Sequence, residues 1–142
     1  ADQLAIAKEN PAYQNASLSF YLDAASNYFD QGRPVDVVVT FRRLGYAWRP
    51  AHEDVKQGLI EIGQDPGIVL GQYVQLFQLD AEEEIDRKSK QSASELVRHA
   101  AQLLDIAEQN AWMPEQLLAE YRSGLSDLRQ DIAHIGESAQ DG

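Results

Sequence analysis

Three times in this chain a proline-marked turn precedes a run of apolar residues spaced three and four apart. The turns are Gln31-Gly32-Arg33-Pro34, Gln64-Asp65-Pro66-Gly67 and Asn110-Ala111-Trp112-Met113-Pro114. Proline lacks the amide that a helix interior or a central strand needs. At the first helical position that amide has no partner anyway, and the fixed φ is already helical. Each turn also follows a helix-like pattern on its N-terminal side. The spacing predicts an all-α fold of three antiparallel helical hairpins, arranged as a helical repeat or an irregular bundle.

The individual segments follow from periodicity. Residues 2–9 read as a short leading helix before Asn10-Pro11. Over 13–30, Leu18, Tyr21, Leu22, Ala25, Tyr28 and Phe29 fall on one helical face, with Gly32 as the terminating cap. Residues 35–41 have the β-branched composition of a strand, but Pro34 at a helix start and the spacing of Val37, Val38, Phe41 and Leu44 favour a helix ending near Gly45. Residues 51–63 read as helix, and a further one starts at Pro66 with Ile68, Val69, Tyr73, Leu76 and Phe77 as its apolar residues. The charge-rich stretch 80–91 is either an exposed helical extension or a connector, and marks a subdomain boundary. Ser92 or Ser94 is placed to cap the next helix, which runs to Gln109. After Pro114, Leu118, Tyr121, Leu125, Leu128, Ile132 and Ile135 step 3-4-3-4-3, the a/d seam of a coiled-coil-like contact. The seam serves packing within the chain or self-association in a homodimer. Residues 137–142 have nothing to bury and read as frayed. The chain is a single helical domain over 1–142, with subdomains at 1–80 (two hairpins) and 92–136 (the hairpin with the seam).

Charge narrows the partners. The 142 residues carry a net −11, and all of it lies beyond residue 50, since residues 1–50 hold five acids and five bases. Such a field repels nucleic-acid phosphates and suits a protein or peptide partner, of basic character if the net charge decides. With no cysteine, disulfides and thiolate chemistry are excluded. No apolar run reaches the roughly 18–20 residues of a membrane span. The chain opens at Ala1, which fits a removed methionine, a cleaved signal peptide or a domain of a longer protein. It is read as cytoplasmic, with an exported mature chain beginning at Ala1 as the alternative.

Residues 18–51 resemble a single tetratricopeptide repeat, a 34-residue helix–turn–helix unit. Ala25, Tyr28, Gly32 and Phe41 fall at that family's small-residue, tyrosine, glycine and large-aromatic positions, and Pro50 lies one residue from the terminal proline. Val37 and Leu44 stand where alanine is usual, and Tyr21 where the tryptophan leads. The resemblance implies a helical scaffold that binds peptides or proteins, and carries no catalytic residue.

The residues themselves offer little chemistry. Glu95 with His99 and Asp131 with His134 lack the Glu-x-x-His pairing of a bundle di-metal site, and His52 stands apart, so the histidines read as surface side chains. The Glu82-Glu83-Glu84 run with Asp86 lacks a calcium loop's glycine and alternating ligands, and Arg87, Lys88 and Lys90 supply ion-pair partners. Neither phosphate-cradling glycine loops nor a serine nucleophile motif is present. No enzyme activity, metal or cofactor is expected. The densest functional cluster is Arg42, Arg43, Tyr46 and Trp48, joined by Tyr21 and Tyr28, because arginine and aromatics dominate interface hot spots. Trp112 and Met113 form a second apolar tip, read as core cover. The expectation is a non-catalytic protein–protein interaction module: an adaptor, chaperone or oligomerisation domain. The alternative is an acidic inhibitor that mimics nucleic acid and binds a basic enzyme.

Overall fold

The computed structural model describes residues 11–47 and 65–141, with side chains at 18–47 and 65–135. Among these the fold is all-α, with five helices: α1 Pro11–Asp30, α2 Pro34–Ala47, α3 Pro66–Asp86, α4 Lys90–Gln109 and α5 Glu115–Asp141. The helices expected over 2–9 and 51–63, and with them Trp48 and His52, lie outside the described residues. The contacts divide the chain into two compact units, residues 1–69 and 70–142, with the division falling inside α3. The charge-rich stretch 80–91 lies within the second.

In the first unit α1 and α2 form a close hairpin. Leu18 and Ala25 of α1 and Val37, Val38, Phe41 and Leu44 of α2 are buried. The strand-like run 35–41 is helical because its apolar side chains cluster on one helical face. Burying each large one is worth about 1.5–3 kcal/mol, well above the few tenths that β-branching costs. Thr40, also buried, donates its hydroxyl to the Asp36 carbonyl at 2.6 Å, so its polar group is satisfied within the helix.

The second unit holds the rest of α3 with α4 and α5, of which α4 and α5 are the closely packed pair. Leu118, Leu125, Leu128 and Ile132 of the seam are buried, and Tyr121 and Ile135 are half-buried. Val97, Ala100, Leu104 and Ala107 are buried on α4, the helix that packs closely against α5. Helix α3 joins through small residues: a Cβ on Gly71 would sit 3.1 Å from the Tyr121 hydroxyl, and one on Gly124 would sit 3.0 Å from Gln78 Nε2. The buried face of α3 is Leu70, Tyr73, Val74, Phe77 and Ala81; of the apolar residues named from sequence, Tyr73 and Phe77 are buried while Ile68 and Leu76 are exposed. Met113 is buried and reaches toward Gly71, in the role of core cover.

Turns and caps obey local rules. Asp65 is the N-cap of α3: its Oδ2 accepts the Ile68 amide at 3.1 Å, with Pro66 at the first helical position. The α1–α2, α3–α4 and α4–α5 connections all end the preceding helix with a residue in the left-handed region: Gly32 (φ 70°), Lys88 (φ 61°) and Ala111 (φ 53°). At each, the next amide bonds five residues back: Arg33 to Tyr28 at 3.0 Å, Ser89 to Glu84 at 2.8 Å and Trp112 to Ala107 at 2.9 Å. These are Schellman motifs. The second sets the start of α4: Ser89 follows Lys88 directly as the N-cap position, which corrects the start expected at Ser92 or Ser94. Helix α5 also runs past residue 137 to Asp141, further than the apolar pattern extends.

Candidate functional site

The expected contact residues of the first unit separate into two groups. Tyr28 is half-buried, its ring covered by the Arg33 guanidinium at 4.8 Å, while Arg33 Nε donates to Asp36 Oδ2 at 2.7 Å. That cluster closes the turn between α1 and α2. Tyr21 is also half-buried and packs edge-on against Phe20, centroids 5.7 Å apart. Arg42, Arg43 and Tyr46 project from α2 into solvent, Tyr46 at 77% exposure. Phe20, which sequence reasoning missed, is 69% exposed. It sits twelve residues before Gly32 and Tyr46 fourteen after it, so on antiparallel helices the two are at nearly the same height above the turn. Its signal was its place outside the apolar stripe of α1, where a phenylalanine has no core to enter.

The second unit carries a groove of about 550 Å³ between α4 and α5. Val97 and Ile132 form a buried floor, and small Ser94, Ala101 and Ala133 line it with Gln102 and Asp105. Lys90, Arg98 and Arg129, all exposed, also line it. At its Asp105 end, Arg122 Nη2 donates to Asp105 at 3.0 Å and to Glu108 at 2.6 Å. The hydrogen bond to Glu108, outweighing slight desolvation, raises the Arg122 pKa further above its ordinary value. Among the described residues Lys90, Arg98 and Arg129 form no ion pair. A cationic groove therefore lies within the part of the chain beyond residue 50, which carries the whole net negative charge.

The charge-rich stretch is helical up to Asp86, turns at residues 87–89 and enters α4 at Lys90. Asp80 is half-buried with Glu83 and Glu84 one turn ahead, and its carboxyl pKa is raised, first by desolvation and then by those two charges. Arg87 pairs with Glu84 at 3.2 Å as expected, whereas Lys88 and Lys90, expected to pair with the same acids, form no ion pair among the described residues. Of the histidines, His134 is exposed, but His99 is buried, which corrects its assignment to the surface. Its Nδ1 lies 3.3 Å from Gln102 Oε1 and its ring 6.5 Å from that of Phe77. Helix α3 covers the α4 face that carries it, which a single-helix pattern does not reveal. No group of three or more potential metal ligands occurs among the described residues. None of their helices is long and apolar enough to cross a membrane. No protein-family model, curated protein or solved structure matches this chain.

Proposed function

We propose that this protein is a non-catalytic protein–protein interaction module that recognises its partner through the exposed arginine–aromatic surface of the α1–α2 hairpin. The observation that carries the reading is the outward projection of Phe20, Tyr46, Arg42 and Arg43 from a hairpin that buries Leu18, Val37, Val38, Phe41 and Leu44 instead. An aromatic side chain left mostly in water contributes little to folding, yet it supplies large contact area with few rotatable bonds when a partner covers it. The tetratricopeptide-like spacing of 18–51 supports the same role.

The test is affinity capture with in-cell cross-linking, comparing wild type with a Phe20→Ser/Tyr46→Ala variant and an Arg42→Glu/Arg43→Glu variant. All four positions are exposed, so circular dichroism should stay unchanged. The reading expects the captured partner to be lost from both variants. Recovery of an unchanged set of partners refutes this surface. Loss of capture on raising salt, with the aromatic variant still active, would instead favour an acidic mimic that binds a basic enzyme.

A further inference from the structure

The cations of the α4–α5 groove are a broken copy of an ion-pair cluster one heptad away. In an antiparallel pair, moving seven residues forward on one helix and seven back on the other preserves the facing relation. Arg122 of α5 faces Asp105 and Glu108 of α4 and bonds both. One heptad along, Arg129 occupies the position of Arg122, while Arg98 and Ala101 occupy those of Asp105 and Glu108. Both carboxylates are gone, and one is replaced by a third arginine. Arg98 and Arg129 line the same groove with Lys90 and pair with no acid among the described residues. Like charges so placed repel, and carboxylates brought by a partner would relieve that repulsion.

The groove's shape says what brings them. Along α4 it runs from Lys90 to Asp105, about 22 Å or four helical turns. It lies on the side away from α3: on α4, Ala101 stands about 160° around the axis from His99, which approaches Phe77 of α3. On α5, Arg129 and Ala133 lie across the seam from Gly124, which meets Gln78 of α3. The position is that of a further helix in a bundle. The buried floor of Val97 and Ile132 is apolar, and Ser94, Ala101 and Ala133 are small enough for a helix backbone to approach closely.

We infer that the α4–α5 groove is a docking site for an acidic amphipathic helix of a partner protein, whose carboxylates bridge Arg98, Arg129 and Lys90 while its apolar face packs on Ala101 and Ala133 above the Val97–Ile132 floor. This surface lies in the other unit from the α1–α2 hairpin and stands or falls independently of it.

The experiment selects a displayed library of 16-residue amphipathic helices, with randomised polar positions, against the intact protein. The winners are then measured by fluorescence anisotropy. Enrichment of Asp and Glu is expected, with affinity falling as salt rises. The diagnostic variant is Arg98→Asp, which restores the Asp105–Arg122 arrangement by giving Arg129 a carboxylate within the chain. It should fold at least as stably as wild type and yet bind the selected helices at least about tenfold more weakly. Lys90→Glu should weaken binding in the same direction. Enrichment of basic helices, undiminished binding by Arg98→Asp, or a failure to select any groove-dependent helix would overturn the inference. So would dodecanoate binding with the same arginine dependence in place of any helix, since that assigns the groove to a small amphiphile.

Discussion

Lys88 and Ala111 occupy a backbone conformation that suits neither, and glycine at these two positions should stabilise the protein. Both stand at the left-handed position of a Schellman motif, at φ 61° and 53°, where the equivalent residue of the α1–α2 turn is Gly32 at 70°. A side chain in that region costs about 1–2 kcal/mol because Cβ crowds the backbone. Glycine removes that cost but gives back roughly 0.5–1 kcal/mol through the greater freedom of the unfolded chain. The net expectation is a gain of about 0.5–1 kcal/mol at each site. The sites flank α4, a 20-residue helix about 30 Å long, so their effects should add. In urea, with an m-value of about 2 kcal/mol/M, the Lys88→Gly/Ala111→Gly variant should shift its midpoint upward by roughly 0.5–1 M at unchanged m. Lys88→Ala is the control for lost charge: it keeps the strained φ and should leave stability nearly unchanged. Gly32→Ala should do the reverse of the glycine variants. Nothing lies within 4 Å of the Cβ it would add, so its loss of about 1 kcal/mol would be wholly conformational. If Lys88→Gly is no more stable than Lys88→Ala, or Gly32→Ala matches wild type, the backbone argument is wrong.

Three further outcomes are expected. Asp65→Ala should cost about 1 kcal/mol, since it removes the acceptor of the Ile68 amide at the start of α3; Asp65→Asn should recover most of the loss in the same denaturation assay. Leu125→Ala should cost about 2–5 kcal/mol, because that side chain is 1% exposed in the α5 seam; a cost under 1 kcal/mol would mean the seam does not hold the unit together. Asp80→Asn should stabilise the protein at neutral pH, by a few tenths of a kcal/mol for relief of each like-charge pair. The folded pKa of Asp80 is raised, so its ionised form is disfavoured in the fold above that pKa, and the penalty fades as pH falls through it toward the unfolded value. The gain measured by thermal denaturation should therefore shrink on acidification, and a constant gain would refute the electrostatic cause.

What could be read from the chain alone was whatever depends on residues three or four apart. Pro34 and Pro66 open their helices at the first position, Pro114 stands just before α5, and Gly32 closes α1, because cap chemistry is local. The seam from Leu118 to Ile135 could be recognised because an unbroken apolar line on one helix needs only that helix to be seen. The same local reasoning singled out Arg42, Arg43 and Tyr46, which do project into solvent.

Tertiary structure decided which face met which neighbour. Nothing near His99 in sequence announces that α3 covers it, nor that Leu76 is left outside while Leu70 goes in. Lys88 carries no turn signal of its own, and its left-handed backbone follows from the hydrogen bonds that close α3. The proline-punctuated pattern thus settled that the chain is helical and where most helices begin. Arg98, Arg129 and Lys90 share a groove only because α4 and α5 pack antiparallel in one particular register. Register is set by the interdigitation of two seams, a long-range choice that the periodicity of either helix leaves open.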